Sequence, residues 1–177
     1  RALSLLLALT LVMSLFGGVT FVSAEGDEAA EAYFLKADGL TADQAVMIVA
    51  KSGESYYALG YDESVVAVEV TVDGGFAAAA TSNTDALLWV YGANGQMHNV
   101  GTESIYLYPY AYGMTYSSGR VMQYSDGVLY FATSSATGYI TFDGSAFGYS
   151  TDASAAAAIL IYKYTSLSAR YTIPTYF

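Results

Sequence analysis

Cysteine is absent from the chain, and histidine and tryptophan occur once each. Without cysteine there is no disulfide, no thiolate nucleophile, no cysteine-ligated zinc and no lipid attachment through an N-terminal cysteine. The one histidine, His98, leaves the usual His and Cys zinc site without ligands, and any Ser-His-Asp triad would have to use it. No nucleophile elbow accompanies it, because Gly144-Ser145-Ala146-Phe147-Gly148 places its serine one position too early for Gly-x-Ser-x-Gly. A lone histidine in a strand is ordinarily a half-buried polar residue, and His98 is read that way. Charged residues are only 12% of the chain, too few for a disordered tail or a charged helical bundle. Basic residues are the scarcer sign: six Lys and Arg against sixteen Asp and Glu, a formal net charge of −10. Such a surface repels phosphate backbones and anionic lipid headgroups, so nucleic acid is excluded as a partner and the acidity reads as solubility.

What is present begins with the pattern of an export signal. Arg1 precedes the apolar run Leu5 to Phe16, Gly17-Gly18 break it, and Val22-Ser23-Ala24 brings small residues before the acidic Glu25-Gly26-Asp27-Glu28. That order predicts a signal-peptide helix in residues 1–24 with cleavage between Ala24 and Glu25. The acidic flank argues against a retained anchor, so the mature chain is expected to be secreted, extracellular and free of the membrane. The first residue is Arg rather than Met, so the basic start is expected to be cut short. An exported chain without disulfides suits a bacterial source.

After the signal comes an acidic lead-in, residues 25–32, then a β domain over 33–165 and a tail over 166–177. Eighteen tyrosines and seventeen glycines against two prolines favour strands joined by tight turns. Thr41-Ala42-Asp43-Gln44 has the form of a capping box, but the short, partly β-branched run behind it reads as turn then strand, Ala45 to Ala50. Val66, Val68, Val70 and Val72 alternate with Ala67, Glu69 and Thr71, and Ile105 and Leu107 alternate with Tyr106 and Tyr108, the period of two of a half-buried strand. Ser52-Gly53, Asp73-Gly74-Gly75, Asn94-Gly95, Asp126-Gly127 and Asp143-Gly144 punctuate the runs. After the alanine run Ala155–Ala158, Ile159 to Tyr162 reads as a closing strand. The fold class is therefore all-β, a closed barrel or a β-sandwich.

Three stretches resemble one another. VMIVA (46–50), SYYALGYD (55–62) and ALLWVYG (86–92) form the first; MHNVG, SIYLYPYA and RVMQYSDG (97–127) the second; VLYFAT, TGYITFDG and AILIYKY (128–164) the third. Tyr57, Tyr106 and Tyr139 fall at matching places. Three such pseudo-repeats resemble a β-trefoil, and their aromatic closing runs resemble the Gln-x-Trp runs of ricin-type lectin domains. Only Trp89 supplies the tryptophan, with Leu87 where the glutamine would stand, while Gln123 is followed by Tyr124 and Ser125. The resemblance spans about residues 45–165; it implies a closed barrel of a kind used for extracellular carbohydrate binding, and transfers no sugar-binding residue by motif.

The candidate ligand-binding residues are Trp89, Tyr106, Tyr108 and Asp143. Tyr106, Tyr108, Tyr110 and Tyr112 are spaced by two around Pro109 and share a face if extended; such a strip either covers a sheet or stacks on sugar rings. Pro109 predicts an edge strand or a bulge. Asp62, Glu63, Glu103, Asp126, Asp143 and Asp152 could pair for glycoside hydrolysis, yet all adjoin turns, where Asp is expected for backbone reasons. Asp38-Gly39-x-Thr41-x-Asp43 lacks the pattern of a calcium loop and reads as a polar turn. The sequence thus predicts no catalytic residue, no metal and no cofactor. The expected function is a non-catalytic binding module for a glycan or other cell-surface ligand; the alternative is a structural spacer in a larger bacterial surface protein.

Overall fold

The computed structural model describes residues 33–164 apart from 74, 79–82, 111–112 and 134. The signal peptide read in 1–24, the lead-in 25–32, Tyr112 and the tail 166–177 lie outside the described residues. Within them fourteen strands follow in order: β1 (Tyr33–Ala37), β2 (Gln44–Ser52), β3 (Ser55–Asp62), β4 (Ser64–Asp73), β5 (Phe76–Ala78), β6 (Leu88–Tyr91), β7 (Met97–Asn99), β8 (Tyr106–Tyr110), β9 (Gly113–Tyr116), β10 (Met122–Ser125), β11 (Val128–Ala132), β12 (Thr137–Phe142), β13 (Phe147–Ser150) and β14 (Ile159–Tyr164). Two short 3-10 turns, Thr84–Leu87 and Ala153–Ala155, complete the elements.

The chain is all-β and contains a closed barrel. Its ten-stranded sheet runs β14-β1-β5-β4-β3-β2-β6-β7-β8-β9, and β14 also pairs with β2. That extra pairing closes β14, β1, β5, β4, β3 and β2 into a six-stranded ring and leaves β6 to β9 as a flap. The remaining strands form a separate meander, β10-β11-β12-β13. The three look-alike stretches therefore contribute unequally. The second supplies β7 to β10, none of them in the ring, and the third supplies the meander strands β11 to β13 and one ring strand, β14. Shared Tyr and Val alternation marks a strand, but does not choose its partner.

Two cores follow from the alternation. Inside the ring lie Phe34, Met47, Val49, Ala58, Val70, Ala77 and Tyr162, with at least one residue from every ring strand. The other core, between the large sheet and the meander, joins Val46, Ile48, Trp89, Met97, Leu107 and Ile161 to Leu129, Phe131, Ile140 and Phe147. The closed barrel and the face-to-face packing of a sandwich thus coexist. In β4, Val68, Val70 and Val72 point into the ring, while Val65 and Ala67 pack against the second core.

The turns form where glycine and aspartate predict them. Asp126 and Gly127 have φ of 52° and 77°, and they link β10 to β11 where Ser125 pairs with Val128, the geometry of a two-residue hairpin turn. Asp43, at φ 61°, lies in the turn just before β2, where a strand follows in place of a helix, and donates its N–H to Tyr91 O at 2.7 Å. Asn99 is the one fully buried polar side chain among the described residues. Its Nδ2 donates to Ala86 O and Leu88 O, and its Oδ1 accepts from Thr102 N, tying the 3-10 turn to the flap.

Gly138 pairs with Phe131 across the meander, and the phenyl ring lies over the glycine: a Cβ built there would fall 2.2 Å from Phe131 Cζ. Gly138→Ala is expected to lower stability by about 1–3 kcal/mol through overpacking, read as a lower urea midpoint. Burial raises the Tyr162 phenol, with Tyr56 and Tyr124 adding to the shift. The folded state then holds that proton more tightly than the unfolded chain. The stability it contributes is whole below about pH 10 and is lost as pH rises through the raised value. Urea midpoints measured from about pH 9 to about pH 12 should fall, and should fall less steeply in Tyr162→Phe; equal slopes would remove this phenol as the cause.

Candidate functional site

The flap carries two unlike faces because its residues alternate. Trp89, Met97, Leu107 and Met114 turn toward the core against the meander. On the opposite face the register aligns Val90 with His98, His98 with Tyr106, and Tyr106 with Tyr116. Leu107 and Pro109 are buried, Tyr106 and Tyr108 are half-buried, and Tyr110 is exposed. The tyrosines of β8 therefore share one outward face. The register of β8 on β9 slips between Leu107 and Tyr110, the bulge that Pro109 predicts.

Four large apolar side chains are notably exposed among the described residues, and three fall between positions 110 and 121: Tyr110 at 51%, Tyr116 at 62% and Val121 at 50%. The Tyr108 ring connects the first two, with centroids 6.4 Å from Tyr110 and 5.8 Å from Tyr116. Arg120 closes the cluster. Its guanidinium carbon lies 4.4 Å from the Tyr108 centroid, 5.1 Å from Phe131 and 5.8 Å from Tyr110. At the other end of the face, Tyr106 packs on His98 at 5.8 Å.

The four residues singled out in the sequence are not brought together. Tyr106 and Tyr108 lie on the outward face. Trp89 does not: it is fully buried in the core on the other side of the flap, and its indole N–H donates to Leu59 O at 2.8 Å. Its sequence neighbour Val90 holds the outward position, so the tryptophan is a packing residue and no ligand surface. Asp143 is exposed in the turn between β12 and β13, and its Oδ1 accepts from Ser145 N, Ser145 Oγ and Ala146 N. Those bonds, Ala146 first, hold its carboxyl below the usual aspartate range. The next residue, Gly144, faces the β2–β3 turn, where a Cβ built on it would lie 3.3 Å from Ser52 Oγ. The charge beside the tyrosines is thus a cation rather than the expected carboxylate.

Sequence reasoning missed Tyr116 and Arg120. Tyr116 stands outside the spacing by two and joins the strip only through the β8–β9 pairing. A signal for Arg120 existed, because it is the only lysine or arginine between Lys51 and Lys163.

A cleft of about 340 Å³ lies elsewhere, lined by Tyr61, Asp62, Glu63, Asn83, Gly101 and Thr102 among others. Its two carboxylates are sequence neighbours at the turn where Asp62 pairs with Ser64. They do not approach from opposite walls, as acid and base would across a scissile bond. No group of three or more His, Cys, Asp or Glu that could hold a metal ion occurs among the described residues. No described helix is long and apolar enough to cross a membrane.

No protein-family model, curated protein or solved structure matches this chain.

Proposed function

We propose that the chain is a secreted, non-catalytic binding module, and that it takes carbohydrate on the outward face formed by Tyr108, Tyr110 and Tyr116. The observation that carries this reading is the exposure of Tyr110 and Tyr116 on either side of a half-buried Tyr108. A strip made to cover a sheet would be enclosed. Exposed tyrosine rings provide broad apolar area at low rotamer cost and carry a hydroxyl that can donate and accept, which suits the alternating apolar and hydroxylated faces of a sugar. The non-catalytic part of the reading draws support from the carboxylates: Asp143 and Asp152 are engaged in their own turns, and Asp62 and Glu63 are neighbours on one turn.

The likeness to ricin-type lectin domains stays part of this proposal. The closed six-stranded barrel supports it, and the unequal contribution of the three stretches supports a barrel with an added flap and meander over a strict threefold repeat. Secretion rests on the residue pattern of positions 1–24.

The test is a glycan-array screen of the purified chain beside a Tyr110→Ala/Tyr116→Ala double variant. Both substituted side chains are exposed, so the variant should keep its circular dichroism and urea midpoint. Binding is expected in the parent and should weaken at least about tenfold in the variant, the equivalent of about 1.4 kcal/mol. A silent array from a folded parent would overturn the carbohydrate reading and leave the spacer domain in its place.

A further inference from the structure

We infer that the ligand of this face is acidic: a saccharide bearing a single carboxylate or sulfate, taken by Arg120 within the stretch 105–125 that holds no Asp or Glu, whereas the net charge of −10 still repels a polyanion. The inference rests on the carbohydrate reading above and adds the charge of the sugar.

The chain is poor in cations and rich in anions, with six against sixteen. Surface arginines in such a protein readily find carboxylates. Arg120 has none: no described Asp or Glu forms an ion pair with it, and its Nε is buried without a hydrogen-bond partner. A buried donor left unmade is costly and calls for an explanation. Aromatic faces at 4.4, 5.1 and 5.8 Å offset part of that cost, but they hold the cation without using its N–H groups.

The loop also holds the backbone of the arginine in place. Arg120 N donates to Leu107 O at 3.1 Å, and Gln96 Nε2 donates to Gly119 O at 2.9 Å. Gly119 lets the loop lie this close: a Cβ there would fall 2.8 Å from Gln96 Cβ and 3.1 Å from Tyr106 Cδ1. The result is a guanidinium set among the half-buried Tyr108 ring, the buried Phe131 ring and the exposed Tyr110 ring. A guanidinium fork matches a carboxylate or a sulfate with two parallel bonds, while the rings take the apolar face of the same sugar. A neutral sugar would offer the fork only hydroxyl acceptors, without the charge assistance and the paired oxygens of an anionic group.

The test uses an array of matched pairs: uronate-bearing glycans with their methyl esters, sulfated glycans with their desulfated forms, and sialylated glycans with their asialo forms. The parent chain is screened beside Arg120→Gln, Arg120→Lys and Tyr110→Ala/Tyr116→Ala, each checked for folding by its urea midpoint. The parent should prefer the acidic member of at least one pair by about tenfold or more. Arg120→Gln should abolish the preference. Arg120→Lys, which keeps the charge and loses the fork, should reduce it and serves as the second variant if Gln unfolds the loop. The tyrosine variant should weaken both members of the pair. Which pair responds separates carboxylate from sulfate. Equal binding of acidic and neutral members, still lost in the tyrosine variant, would overturn the acidic ligand and leave the carbohydrate reading standing. An array on which neither member of any pair binds would overturn both.

Discussion

The structure depends on β2, and in particular on Val46 to Ala50. These five residues are fully buried in succession, so both faces of the strand are covered. Val46, Ile48 and Ala50 enter the core against the meander, while Met47 and Val49 enter the ring. Both edges are used as well. Residues 46–50 pair with β14 along one edge, and along the other β2 pairs first with β6 through Gln44–Met47 and then with β3 through Val49–Ser52. One strand therefore closes the barrel, starts the flap and separates the two cores. Each fully buried aliphatic there contributes on the order of 1.5–3 kcal/mol. A polar residue anywhere in the run would meet apolar surroundings on whichever face it pointed to.

The division of β2's edge has a consequence for the flap. Where β2 passes from β6 to β3, the sheet forks, and β6 to β9 leave the ring. A sheet that leaves a barrel can be covered on one side by a new layer and remain open on the other. The meander supplies that layer, through Leu129, Phe131 and Ile140. The outward side of the flap is then the place where alternation delivers Tyr106, Tyr108 and Tyr110 to solvent. Phe131 connects the layers chemically, since its ring belongs to the covered core and also lies 5.1 Å from the Arg120 guanidinium. Core packing and the cationic edge of the site thus share a side chain.

Much of the local structure was legible because its causes are local. Alternating valines gave β4, the positive φ of Asp126-Gly127 gave a hairpin, and Pro109 gave a bulge. Alternation also separated Tyr108 from Leu107. It could not say which of the two faces would be covered, and for Trp89 that choice decides everything: one residue along, Val90 points outward. The barrel closure was legible only as a class. It requires β2 to meet β14 near the far end of the chain, and pairing at such a distance is set by burial of both partners rather than by any nearby residue. Arg120 escaped notice for the same reason, because the rings around it come from β8 and β11.

The edge of the large sheet adds a last argument about why tyrosines stand there. In the strand order β9 ends the sheet, and an exposed edge invites pairing with another chain. Proteins usually blunt such an edge with charge, with proline or with a bulge. Here the proline and the bulge are present on the neighbouring β8, but from Tyr106 to Tyr116 the sequence holds no charged residue at all. A spacer under no other constraint would gain solubility from lysine or glutamate at the exposed positions 110 and 116. Five tyrosines, counting Tyr112 beyond the described residues, occupy the stretch instead. The one charge that approaches them comes from the loop and is turned against their rings. Aromatic exposure at an uncharged sheet edge, which solubility disfavours, is the feature on which the proposed binding reading rests.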